Sequence, residues 1–330
     1  MMKKVFFVAF VLLIVMGFAA CSNKQVPVST VNLQLQNTVD SLLKQGMGEY
    51  GATEGMAIVV ETSTGNLRAM VGLKENSGKL VSDTTLFSKA RETFLFRSAS
   101  LLAALETGNV SLDDMFDTYA GIDVVGQDTI YDHNWRKGGY GELTLLQGLA
   151  YNSSIAIDKA VDVAYQDKDV FLQKLEQMGL EKDSTFKGSW PLYALGFHHI
   201  KPVNFVSFFN AIANGGKMVS LKSQDSSAIV VDSMIAEKKN IESMKKAFRF
   251  YVTNGLGKKA ESKMVNVAGT SGSIHTDDGI YADFCGYFPV EKPKYTVFVS
   301  YKRPEIPVSG GGMAGQTFRK IAEQIMKTCK

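Results

Sequence analysis

The chain has 330 residues, 45% hydrophobic and 21% charged, with a formal net charge of +3. This supplies enough apolar material for a sizeable core and excludes a disordered chain. The near-neutral balance excludes a nucleic-acid binder, which needs a concentrated basic surface, and three cysteines build no disulfide framework.

Met1 to Lys4 is a short positive start, Val5 to Ala20 is apolar and uncharged, and small residues precede Cys21. The pattern predicts a secretory signal over residues 1–20, too short and wrongly flanked for a membrane span. Phe18-Ala-Ala-Cys21 resembles a bacterial lipoprotein cleavage box. On that resemblance Cys21 carries the lipid and residues 21–30 form a polar tether. The expected location is the cell envelope, anchored to a membrane and facing the periplasm or exterior. Removal of Lys3 and Lys4 lowers the formal charge from +3 to +1. Cys285 lies in an apolar run and reads as core; its spacing to Cys329 leaves a disulfide between them open.

Val31 to Lys44 reads as an amphipathic helix with Leu35, Val39, Leu42 and Leu43 near one stripe. Met56 to Glu61 and Asn66 to Gly72 are β-rich runs joined by Thr62 to Gly65, a hairpin signal. Residues 73–89 read as a loop. A helix follows from about Leu95, with Gly108 as its C-terminal cap. From Val110 to about Ala213 the pattern is mainly helical, with Leu143 to Asp162, Val170 to Met178 and Pro202 to Ala213 as segments. Val265 to Gly269 leads as a strand into Thr270 to Ser273. Ile280 to Pro289 and Tyr295 to Tyr301 form a second hairpin, and Met313 to Lys327 a final helix with Phe318, Ile321, Ala322 and Ile325 on one face. Strands at both ends around a helical block imply one domain with a sheet closed by distant segments.

Several stretches in order are similar to the transpeptidase domain of class B penicillin-binding proteins. They include Val59 to Met70, the helix Leu101 to Gly108, Gly141 to Ile155, Ala211 to Gly216, Val267 to Gly269, Phe284 to Pro289 and Gly311 to Ile321. The resemblance implies an α/β (α+β) fold over residues 31–330: a mostly antiparallel sheet flanked by helices, with an all-helical lobe at roughly 110–215. It also implies three catalytic motifs: a Ser-x-x-Lys nucleophile and base, a Ser-x-Asn relay, and a Lys-Thr-Gly strand that docks substrate.

At the matching positions this sequence departs from all three. Phe94 stands for the serine and has no nucleophilic atom. Arg97 stands for the lysine, and a guanidinium stays protonated at ordinary pH. Asn152, Ser153 and Ser154 occupy the second motif with serine and asparagine exchanged. Thr270, Ser271 and Gly272 occupy the third, so the strand lacks its cation. The sequence therefore predicts no intact catalytic set. It predicts a groove in which Thr270, Ser271, Gly272 and Ser273 offer a strand edge to an extended peptide. The expected partners are a peptidoglycan stem peptide or a cell-wall synthesis protein, with the membrane reached through the N-terminal lipid and no cofactor or metal. The competing expectation is an active serine acyltransferase of the same family with a displaced nucleophile, Ser153 or Ser154, beside Lys159.

Other residues carry simpler readings. Two accidental Ser-x-x-Lys copies, Ser41 to Lys44 and Ser243 to Lys246, read as helix surface. His198-His199 lacks a metal-ligand spacing. Trp135 reads as packing, with sugar stacking as the alternative, and His275 to Asp278 as a solvated turn that also borders the third motif. Lys258-Lys259 reads as a surface turn. Phe94 to Phe96 reads either as an exposed patch or as a plug in the groove.

Overall fold

The computed structural model describes residues 29–328. The signal, Cys21, Cys329 and most of the tether lie outside the described residues. The tether ends sooner than expected: Ser29 already bridges to Gln224, and Thr30 is buried, its hydroxyl donating to the Leu67 carbonyl.

Helix α1 (Leu33–Tyr50) is capped by Asn32, whose side chain accepts from the Leu35 N–H, and closes at Gly51 with φ +64°. Strands β1 (Glu54–Glu61) and β2 (Leu67–Asn76) form the first hairpin, followed by the short β3 (Lys79–Ser82). The loop expected at 73–89 is therefore corrected: it holds the end of β2, β3 and a 3-10 turn at Thr84–Phe87. All four β3 residues are exposed, so the strand has no apolar alternation to betray it.

Helix α2 (Arg97–Glu106) follows a 3-10 turn at Phe94–Phe96, and its chain turns away at Gly108, φ +73°. The next stretch is not helical as expected. β4 (Met115–Asp117) pairs with β7 (Glu142–Thr144), and β5 (Ile122–Val125) forms a ribbon with β6 (Asp128–Tyr131). Strands this short, carried on a surface, leave little periodicity in the sequence.

The helical lobe continues with α3 (Leu145–Ala150), α4 (Ser154–Ala164), α5 (Lys168–Gln177), α6 (Trp190–Leu195) and α7 (Pro202–Ala213). What reads as one periodic segment from Leu143 to Asp162 is two helices broken at Asn152, which has φ +54°. Strands β8 (Met218–Val219) and β9 (Val230–Asp232) make a small ribbon before α8 (Lys238–Thr253). The chain returns to the sheet with β10 (Ala268–Thr276), β11 (Gly279–Phe288) and β12 (Tyr295–Arg303), and ends in α9 (Gly315–Thr328).

The main sheet has six strands in the order β10-β11-β12-β1-β2-β3, each antiparallel to its neighbour. Its central strands are buried on both faces. In β1, Met56, Ile58 and Val60 join the core under the helical lobe, whereas Ala57 and Val59 join the core beneath α1 and α9. That two-sided burial explains why the strands read as continuous apolar runs. Phe318, Ile321, Ala322 and Ile325 of α9 are all buried, and Leu101, Leu102 and Leu105 of α2 lie in the other core. Among the described residues no helix is long and apolar enough to cross a membrane.

Candidate functional site

A groove enclosing about 1290 Å³ of open space runs between the edge strand β10 and the helical lobe. Phe94, Arg97, Asn152, Ser154, Ser271 and Ser273 all line it, so residues from all three matched motifs meet in one place. Thr270 is buried and is not in the lining.

The turn that carries Phe94 is held from behind. Thr93 donates its hydroxyl to Asp283 Oδ2 at 2.8 Å, and Asp283 receives a two-point ion pair from Arg91 at 2.7 and 2.9 Å. All three side chains are buried, where a paired charge is tolerated and an unpaired one is not. Leu95 and Phe96 then enter the core, Phe96 meeting His198 and Tyr193 edge to face. Phe94 is left half-buried against Phe197, with ring centroids 5.1 Å apart. Gly272 makes this possible: a Cβ there would sit 2.9 Å from Phe94 Cβ and 3.0 Å from the Leu95 nitrogen. Phe94 to Phe96 is thus not an exposed patch, since Leu95 and Phe96 belong to the core and only Phe94 lines the groove.

The Arg97 guanidinium lies 3.8 Å from the centroid of the Phe94 ring, a cation–π contact. Its Nη1 donates to the Asn152 carbonyl at 2.9 Å, and its Nε has no partner. Burial pushes its pKa down to about 10, with Asp132 and Tyr251 pulling the other way. It is still cationic at neutral pH.

The second motif is organised by a residue that sequence reasoning missed. Asp132, fully buried, accepts from the Ser153 hydroxyl at 2.7 Å and from the Ser154 and Ile155 N–H groups at 2.7 and 3.3 Å. It therefore caps α4, placing negative charge at the helix N-terminus. Burial raises its pKa, opposed by these bonds and by Arg97. Ser153 also accepts from the Ala156 N–H as the N-cap residue. Its oxygen is thus committed to two bonds.

A second missed residue ties the motifs together. Asn152 Nδ2 donates to the Tyr251 hydroxyl at 3.3 Å, and that hydroxyl makes a short hydrogen bond to Ser271 Oγ. Arg97, Asn152, Tyr251 and Ser271 so form one polar chain across the floor of the groove. Tyr251 is fully buried on α8, and burial raises its pKa despite the bonds from Ser271 and Asn152. On β10, Ser271, Ser273 and His275 alternate on the groove side, and Ser273 Oγ accepts from the Gly310 N–H at 2.8 Å. The loop Ser309 to Gly311 closes that wall; Tyr131, His133 and Trp135 form the opposite one. Trp135 is therefore not simply packed inside: it is half-buried beside Tyr131 on the groove wall, ring centroids 5.4 Å apart.

The remaining candidates fall elsewhere. Lys159 is turned away from Ser153 and Ser154, donating to the Asp117 carbonyl at 2.6 Å and covering the Tyr119 ring. Ser98 and Ser100 are buried in α2, and Ser100 donates to the Ala194 carbonyl. Ser41 and Lys44 are exposed on α1, and Ser243 and Lys246 sit on the outer face of α8. His198 is fully buried, stacked on Tyr193 at 3.8 Å, while His199 is exposed. Lys258 and Lys259 are exposed in a 3-10 turn, and Cys285 is buried and bears a free thiol. Asp278 accepts from Lys89 and Lys302, tying its turn to β12. Among the described residues no group of three or more potential ligands is placed to hold a metal ion.

Chemically the groove offers hydroxyls, a buried cation, one edge strand with a neighbour on a single side, and aromatic walls. No lysine is among its lining residues. Solved structures of the same architecture come from other proteins at low identity. A Burkholderia ambifaria protein described as a peptidoglycan glycosyltransferase superposes with a TM-score of 0.78 at 18% identity, covering 92% of this chain and 98% of that one. The transpeptidase domain of Burkholderia pseudomallei penicillin-binding protein 3 gives 0.78 at 17%, covering 93% and 97%. The transpeptidase domain of the FtsI4 D,D-transpeptidase from Legionella pneumophila gives 0.68 at 20%, covering 92% and 100%. The family model of the penicillin binding protein transpeptidase domain matches residues 55–326. Sheet, lobes and family model agree, and the chain belongs to the penicillin-binding protein transpeptidase family.

Proposed function

We propose that this protein is a catalytically inactive member of its family. On this reading it is a lipoprotein anchored through Cys21, and it uses the groove to bind a peptidoglycan stem peptide or a protein of cell-wall synthesis. The observation that carries the reading is the Phe94 ring covered by the Arg97 guanidinium at 3.8 Å. Acyl transfer by a serine needs a hydroxyl with a base in hydrogen-bond reach. Here one position has no nucleophilic atom and the other holds a permanent cation. The nearest hydroxyls do not repair the loss. Ser153 is committed to Asp132 and its own helix, and Ser271 faces Tyr251, whose raised pKa keeps the phenol protonated and so unable to take the serine proton. Binding by contrast needs only the scaffold, and an extended peptide could add to β10 through main-chain hydrogen bonds.

The test is labelling of the purified protein with a fluorescent penicillin, beside a Phe94→Ser/Arg97→Lys double variant. Neither is expected to give a covalent band, because the second and third motifs are also altered. A band from the native protein that disappears on replacing one serine, Ser154 or Ser271, would overturn the reading in favour of a displaced nucleophile.

A further inference from the structure

One exposed apolar cluster lies far in sequence from the groove motifs. On and beside β9, Ile229, Val230, Val231 and Met234 are 58%, 46%, 62% and 46% exposed. Four large apolar side chains within six residues are costly to leave in water and mark a contact surface; Val230 and Val231, successive in β9, present it on both faces of the two-stranded ribbon. β8 and β9 pair only with each other, and the segment from Ser223 to Val231 is exposed throughout.

The position of this ribbon identifies what it meets. The N-terminal segment enters the fold beside it: Ser29 bridges to Gln224, and the Thr30 N–H donates to the Ser223 carbonyl at 2.9 Å. Ser220, four residues before Gln224, donates its N–H to the Ile229 carbonyl at 2.8 Å. Four residues span about 14 Å at full extension, so Ser220, hydrogen-bonded to Ile229 at the start of the patch, lies within that distance of Gln224 at the entry point. Leu33, three residues beyond Thr30 and 73% exposed, adds a fifth apolar side chain near the same point.

We infer that the Ile229–Met234 ribbon is a membrane-contact surface that rests in the interfacial region of a phospholipid bilayer. The inference relies on the lipid-anchor reading of Cys21. Eight residues separate Cys21 from Ser29, a reach of about 28 Å when fully extended. A lipid on Cys21 therefore keeps the bilayer permanently within about 28 Å of the entry point, at an effective concentration no freely diffusing partner matches. Exposed Lys217, adjacent to Met218 that pairs with Asp232, is placed to meet anionic headgroups. A second copy of the chain is the other apolar occupant, but its association depends on concentration, whereas the tether does not. Contact here leaves the groove at β10, at the opposite end of the sheet from β2, uncovered.

The experiment uses the processed, lipid-bearing full chain in phosphatidylethanolamine–phosphatidylglycerol vesicles with brominated acyl chains. Trp135 and Trp190, the two native tryptophans, lie outside the ribbon. Val231→Trp is expected to give blue-shifted emission quenched about twofold by the brominated lipid, with little quenching of the unsubstituted protein. Flotation with the vesicles without quenching at residue 231 would overturn the inference while leaving the anchor standing. If Cys21→Ala floats as well as the native chain and the Val231→Trp signal is quenched, the anchor reading falls and the contact surface is supported. Failure to float at all sinks both. A doubled mass in vesicle-free buffer, abolished by Ile229→Ser/Val231→Ser, would reassign the patch to a second copy.

Discussion

Single residues in the groove are joined into one polar chain. Arg97 binds the Asn152 carbonyl, Asn152 binds Tyr251, and Tyr251 binds Ser271, so groups from three distant segments hold one another. Phe94 and Arg97 were identifiable from their place in a familiar helix. Tyr251 and Asp132 were not, because neither carries a local pattern: one sits in an ordinary amphipathic helix, the other in a polar loop. Buried His198 is sensitive to pH. A carbonyl only accepts, so Nδ1 donates to the Tyr193 carbonyl at 3.1 Å and Nε2 is left unpaired among aromatic rings. Burial lowers its pKa from 6.5 to about 4, with the Tyr193 bond and Asp183 opposing. Between those values the unfolded chain binds a proton that the folded chain refuses. The His198 contribution to stability therefore rises with pH and is lost as pH falls from about 6.5 towards 4, by roughly 3 kcal/mol across the window. Asp158, whose pKa burial raises to about 7, acts in the opposite sense over the same range, so the His198 share is read by difference. Denaturation midpoints of the native chain and His198→Gln compared at each pH should diverge on acidification, with the native chain losing more stability; equal losses would place the sensitivity elsewhere.

Among the elements, the contact between β10 and the Phe94–Phe96 turn fixes the width of the groove. Gly272 has no Cβ because one would strike the Phe94 Cβ at 2.9 Å and backbone atoms of Phe94 and Leu95 at 3.0 Å. The turn cannot simply retreat, since Thr93, Asp283 and Arg91 hold it from the other side. Gly272→Ala is therefore expected to destabilise the fold by about 1–3 kcal/mol, an overpacking cost, read as a lower denaturant midpoint at unchanged slope. An unchanged midpoint would mean that the turn yields freely. The elements most legible in the sequence were α7, α9, β11 and β12, whose apolar residues repeat at the helical or strand period over nine residues or more. The ribbons at 115–131 and the edge strand β3 were missed for the complementary reason: they are short and mostly exposed, so no periodic burial shapes their sequence.

For the whole molecule, β1 pairs with β12, joining the first strand of the chain to the last. The two cores meet across that sheet, which should make unfolding a single event. Phe318 of α9 is fully buried against Phe284, ring centroids 4.8 Å apart. Phe318→Ala is expected to cost about 3–5 kcal/mol. Trp135 and Trp190 lie on the helical side, so tryptophan emission reports the other lobe. The loss should nonetheless appear undiminished there and coincide with the far-ultraviolet circular dichroism transition. Two separated transitions would show that the lobes unfold independently.

The sequence by itself determined the family and the antiparallel sheet closed by its two ends. These depend on local periodicity and on order along the chain, both of which survive in one dimension. Only the tertiary structure decided that Lys159 points away from Ser153 and Ser154, that Asp132 and Tyr251 organise the groove, and that Trp135 lines its wall. The physical reason is distance along the chain. The groove is assembled from side chains at positions 94, 132, 152, 251, 271 and 310, and nothing in the residues around any one of them encodes which of the others it will touch.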